Sequence, residues 1–389
     1  MPAAKLLNKK YFSHYSPANF APTMTKELTQ RSSKPIAIWL LIGVGMIIVQ
    51  ILLGGITRLT GSGLSITEWN VVTGAFPPTN NQQWLLEFEK YKATPQFNLL
   101  NFDFTLQDFK HIFFWEWFHR FWARLIGVVF AIPFIIFLIQ KRFRPSMIKP
   151  MLILFLLGAL QGAIGWIMVA SGLEGDAIYV KPTKLALHFI FAMGLLCYTF
   201  WFALELLVPK EKIVSNPVIR KLNIGILSVL VLQLVYGAFM AGHKAATAAP
   251  TWPDINGHVI PPGMMSARAG MDGGNNEGLL NLIDNKITIH FIHRGLAYLL
   301  LILIILLTIR IYKIVGSSLL YKTRWWPLLL VTAQIILGIT SVLLSLKIVP
   351  NHWGLFEWMA QFHQLVAMCL LLSLIWILYL VRKKSYSPS

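Results

Sequence analysis

The sequence predicts an all-α polytopic membrane protein with eight transmembrane helices, arranged as two pseudo-symmetric four-helix bundles. Three observations carry that expectation. Of the 389 residues, 56% are hydrophobic and only 13% charged, whereas soluble domains are roughly 25% charged. Apolar runs of roughly 20 residues, the length that crosses a bilayer, fall at about 36–56, 117–139, 150–170, 185–207, 222–241, 289–312, 326–346 and 359–381. The last four runs repeat landmarks of the first four at a spacing near 174 residues.

Taken in order, residues 1–34 form a basic tail with Glu27 as its only acid, cytoplasmic on the charge argument below. Its composition also allows a targeting presequence, although arginines are few. The N-terminal half spans 35–208 and the C-terminal half 209–384, with a short tail at 385–389. Gln50-Ile-Leu-Leu-Gly54 on the first run answers to Gln233-Leu-Val-Tyr-Gly237 on the fifth. On the third and seventh runs, Leu160-Gln161-Gly-Ala-Ile-Gly165 answers to Ala333-Gln334-Ile-Ile-Leu-Gly338. His119-Arg120 and His188-Phe189, on the second and fourth, answer to His293-Arg294 and His363-Gln364 on the sixth and eighth. Two halves crossing in the same sense are the simplest reading, each a bundle able to hold an interior site.

The net charge of +18 belongs to membrane orientation and not to nucleic acid, because the excess lies in short loops beside the spans. The N-terminal tail, the even-numbered loops and the C-terminus hold 21 Lys and Arg against 3 acids, and the opposite side holds 13 of each. Both termini are therefore expected in the cytoplasm, and the long loops at 57–116 and 242–288 outside. Cys197 and Cys369 both lie in apolar runs, as small buried residues and not a disulfide.

The stretch Phe114-Trp-Glu116-Trp-Phe-His119-Arg120 places three ionisable groups at the mouth of an apolar helix. Charge there is costly, and such residues mark functional sites. His119, His188, His293 and His363 each lie near the start of an even-numbered helix, so all four sit at similar depth. One imidazole from each of two facing helices is the axial pair that a haem iron takes. A bare zinc or copper ion would want three or four donors, to which His290, spaced i, i+3 from His293, could contribute. His14, His111, His243, His258 and His352 have no matched partners and read as ordinary residues of the tail and outer loops. Arg58, Arg120 and Arg294 are candidates to pair with haem propionates at the membrane edge, the competing reading being that they snorkel to lipid phosphates. Where the first half has Glu116, the second has His290. The first half thus reads as the chemical one, with Glu116 suited to proton transfer or charge stabilisation, and the second as the seat of a permanent redox haem.

Specific stretches then point to a family. Gly54-Gly-Ile-Thr-Arg-Leu-Thr-Gly-Ser-Gly-Leu-Ser65, the Trp84 to Phe97 segment after Pro77-Pro78, Glu116-Trp-Phe-His119-Arg120, Gly237-Ala-Phe-Met-Ala-Gly242 and Ile260-Pro-Pro-Gly263 together resemble the haem A synthase family, in its bacterial and mitochondrial form with a long first loop. The resemblance runs from about residue 36 onward. It implies that His119 and His188 flank the substrate haem O, that His293 and His363 ligate a resident haem b, and that Glu116 is catalytic. It implies oxidation of the C8 methyl of haem O, through a hydroxymethyl stage, to the formyl group of haem A for terminal oxidases. It further implies a bacterial inner membrane, or the mitochondrial one, with haem O synthase and an electron acceptor as partners and a homo-oligomer as an assembly. Some members carry a cysteine pair in the first outer loop; this chain has none there, so a route needing that pair does not apply. Two other classes stay open: a bis-histidine electron-transfer subunit, which would not need Glu116, and a haem transporter, which would need access from both faces.

Overall fold

The computed structural model describes residues 34–68, 74, 76–264, 277–314, 318–350 and 352–383. Apart from Lys34, the N-terminal tail lies outside the described residues, as do the tail at 385–389 and positions 265–276 of the second long loop. Among those described, eight helices are long and apolar enough to cross a bilayer. They are α1 Lys34–Leu59, α2 Leu106–Ile139, α3 Pro145–Leu173, α4 Pro182–Leu207, α5 Pro217–Gly242, α6 Lys286–Tyr312, α7 Trp326–Leu344 and α8 Leu355–Leu380.

Local chemistry fixes where they begin. α3, α4, α5 and α7 carry proline in the first two positions, where the missing N–H has no helical partner to lose. Asn216 caps α5 by accepting from Ile219 N, and Asn285 caps α6 by accepting from Ile287 N and Thr288 N. α2 departs from the sequence expectation of a start near 117. Thr105 and Asp108 form a capping box that starts it at Leu106, so that it runs for 34 residues, about 51 Å. A bilayer core is about 30 Å thick, so the outer end of α2 stands clear of it, and Glu116 and His119 sit on one continuous helix. Pro133 interrupts α2 lower down and leaves the Val129 carbonyl without its usual donor. The Trp39 indole of α1 supplies one at 2.8 Å.

α1 packs on α2 and α4, α3 on α4, α5 on α6, and α7 on α8. α4 also lies against α5 and α8, and α8 against α1. One buried apolar cluster takes Leu196 from α4, Ile226 from α5, Ile304 from α6 and Leu374 from α8, so the two halves share a core. Their seam is polar at one place. Gln361 and Gln364 of α8 donate to the carbonyls of Leu52 and Ile51 on α1 at 2.9 and 2.8 Å. Gly55 makes this approach feasible, since a Cβ there would run into the Gln364 carboxamide and stand 2.6 Å from Gln361 Oε1.

The first outer loop is built on the protruding end of α2. Two short helices, Asn81–Lys92 and Pro95–Leu100, bury Phe88 and Tyr91 against Phe109, Ile112 and Phe113. Tyr91 and Phe88 stack on Phe109 with ring centroids 5.3 and 5.1 Å apart. The Tyr91 hydroxyl meets Gln96 Oε1 and accepts from Asn101, and burial pushes its pKa up to about 12. Gln96 in turn donates to the carbonyls of Gly61 and Ile178. These bonds lay the loop as a cap across the outer ends of α1 and α3.

Candidate functional site

The four histidines of even-numbered helices line a single cavity of about 1870 Å³. Pockets for one small molecule run to roughly 300–1,000 Å³, so this space can take two large ligands. Each imidazole packs on a glycine of the preceding odd-numbered helix. A Cβ on Gly54 would stand 3.6 Å from the His119 ring, and on Gly165 2.8 Å from that of His188. On Gly237 it would stand 3.3 Å from His293, and on Gly338 3.1 Å from His363. At Gly165, Gly237 and Gly338 the ring sits where a Cβ would crowd it, and at Gly54 it is in ordinary contact.

In the second half, His293 and His363 face one another with ring centroids 6.4 Å apart and planes at 62°. Two imidazoles that share one metal, each nitrogen about 2.0–2.1 Å from it as with zinc, have centroids roughly 6 Å apart. Rings on opposite sides of one ion would have about the separation seen here. In the first half, His119 and His188 line the same cavity, each against its glycine. Among the described residues no three or more His, Cys, Asp or Glu gather as a bare metal site would require. His290 donates from Nε2 to the Ala245 carbonyl at 2.8 Å.

The charged residues expected near the site are tied to the outer loops. Glu116 is 3% exposed and lines the cavity. Its Oε2 accepts from Ser65 Oγ at 2.8 Å and Ile66 N at 2.9 Å, and its Oε1 from Arg120 at 2.5 Å. Arg120 also donates to the carbonyls of Ile66 and Glu68. In the second half Arg294 donates to the carbonyls of Asp254 and Ala249, while His290 holds Ala245. In both halves, then, the residues four apart on the even helix pin the overlying loop. A guanidinium carries five N–H donors, and Arg294 gives one each to the Asp254 and Ala249 carbonyls. Arg58 lines the cavity from α1 and feels the charge of Glu357 on α8.

Glu357 is a residue that the sequence reading missed. It is 5% exposed, accepts from Gly354 N at 2.9 Å and lines the same cavity. Its signal was an acid less than two turns before His363 on an otherwise apolar helix. His111 and His352, expected as loop residues, also line the cavity. Cys197 and Cys369 are free thiols, half-buried where the sequence reading expected full burial.

A search against family models matches residues 37–375 to the cytochrome oxidase assembly protein family, COX15-CtaA. The chain belongs to this family. Among curated relatives, haem A synthase of Flavobacterium psychrophilum is 38% identical over 344 residues, covering 88% of this chain and 96% of the relative. The haem A synthase of Rhodospirillum centenum is 37% identical over 367 residues, 94% of this chain and 93% of the relative. That of Wolbachia pipientis is 35% identical over 358 residues, 92% and 95%. The matches run through both halves, so the COX15-CtaA assignment covers all four histidines and both outer loops. An electron-transfer subunit and a haem transporter gain no support from these relatives.

Proposed function

We propose that this protein makes haem A by oxidising the C8 methyl of haem O to a formyl group, with a resident haem b held by His293 and His363. The observation that carries the reading is the facing of His293 and His363 across the cavity at 6.4 Å. The kinship with haem A synthases agrees with it. A bound haem b supplies one-electron redox chemistry at its iron. In the proposal His119 and His188, packed on Gly54 and Gly165, flank the substrate haem. Arg58, Arg120 and Arg294 meet propionates at the membrane edge. Glu116 takes up a proton, or offsets positive charge, as the methyl group is oxidised. The cap over α2 keeps water from the reacting edge.

The same reading puts the protein in a bacterial inner membrane, or its mitochondrial counterpart, with the termini in the cytoplasm. It receives haem O from haem O synthase, passes electrons to an acceptor and assembles as a homo-oligomer. A tag inserted beside Asn80, at the exposed start of the first loop helix, is expected to be cut by protease from the periplasmic side. Cleavage only from the cytoplasmic side would reverse the orientation. The function itself is tested by expressing the chain in a host that makes haem O but no haem A and extracting the haems. Haem A is the expected product; haem O alone, with the protein folded and in the membrane, would contradict the proposal.

A further inference from the structure

Each odd-numbered helix carries a glutamine one turn before the glycine on which a site histidine packs: Gln50 before Gly54, Gln161 before Gly165, Gln233 before Gly237, Gln334 before Gly338. All four carboxamide oxygens are buried without a hydrogen-bond partner among the described residues. A lone orphaned oxygen can be an accident of packing. The same orphan at four equivalent places calls for a donor that arrives with a ligand, since a buried acceptor left unmade forfeits its hydration.

A neighbouring imidazole can supply that donor where the carboxamide reaches its ring and can turn. Gln161 Nε2 lies 3.1 Å from His188 Nδ1, and Gln233 Nε2 lies 3.3 Å from His293 Nε2. Gln50 and Gln161 also donate to the carbonyls of His119 and His188 at 3.3 and 3.0 Å. Nδ1 of His293 and Nδ1 of His363 are themselves buried without a partner among the described residues. When one nitrogen of an imidazole is given to a metal, the other becomes an N–H that needs an acceptor. Half a turn about its last side-chain bond exchanges the oxygen and nitrogen of a glutamine.

We propose that Gln233 is a positioning residue for the resident haem, turning its carboxamide oxygen to the Nε2–H of His293 and so leaving Nδ1, which has no hydrogen-bond partner among the described residues, for the iron. This rests on the two-site reading above and adds to it what sets ligand strength. An acceptor on the far nitrogen makes the imidazole a better electron donor, which favours the ferric over the ferrous state.

The test is the midpoint potential of haem b in the purified full chain, measured for wild type, Gln233→Leu and Gln233→Glu. Loss of the acceptor in Gln233→Leu is expected to raise the potential, and the stronger acceptor in Gln233→Glu to lower it. A change of roughly tenfold in the relative affinity for the two oxidation states corresponds to about 59 mV for one electron. Unchanged potentials, or shifts of the same sign in both variants, would overturn the inference while leaving the haem site standing. Loss of haem from both variants would mark Gln233 as a packing residue and overturn it as well. A wild-type protein with no haem b would instead defeat the underlying reading.

Discussion

Replacing His293 or His363 with alanine is expected to strip the proposed haem b from the protein altogether. The two rings face one another with centroids 6.4 Å apart, and the haem b of the proposal takes one ligand from each. His290 is committed to the Ala245 carbonyl, and His119 and His188 are apposed to Gly54 and Gly165 of the other half. His119→Ala or His188→Ala is expected to leave the haem b spectrum in place and abolish haem A. Since the halves share one core, a folding defect would be expected to disturb both sites together. The split between the two classes of variant therefore reports ligation and not collapse. Absorption spectra of the purified variants, with extracted haems measured alongside, decide it.

Glu116→Gln is expected to slow haem A formation by about 10²- to 10⁴-fold, the range typical of a lost acid–base group, while both haems still bind. The carboxylate also anchors the cap, accepting from Ser65, Ile66 N and Arg120. An amide in its place presents an oxygen to one side and an NH₂ to the other, so it cannot accept from all three donors. A control must therefore disturb the anchor and spare the carboxylate. Ser65→Ala removes one of the three donors, and a loss of only a few-fold is expected from it. If Ser65→Ala and Glu116→Gln slowed turnover equally, Glu116 would be a clasp for the cap and not a participant in the chemistry.

The architecture was legible because a bilayer imposes length and hydropathy on every crossing. The eight runs, the histidine near the start of each even-numbered apolar run and the matching of Gln50–Gly54 with Gln233–Gly237 could all be read directly. The early start of α2 was harder to read, because the aromatic residues that bury it belong to loop helices far along the chain, Phe88 and Tyr91 among them. Arg120 and Arg294 could be placed at the membrane edge by sequence. Their bonds to loop carbonyls could not, since a backbone acceptor leaves no mark on residue type. Glu357 was passed over because an acid in the first turn of a helix ordinarily caps it. It does so here, and its second role as cavity wall depends on α8 lying against α1.

The claim that two haem sites exist in one cavity is tested most directly by counting haems in the purified wild-type chain, produced with and without a supply of haem O. The account predicts one haem b per chain in both preparations, joined by one further haem, O or A, only when haem O is supplied. A single haem per chain in both, or a haem b content that falls as haem O rises, would mean that the His293–His363 pair is not a separate resident site.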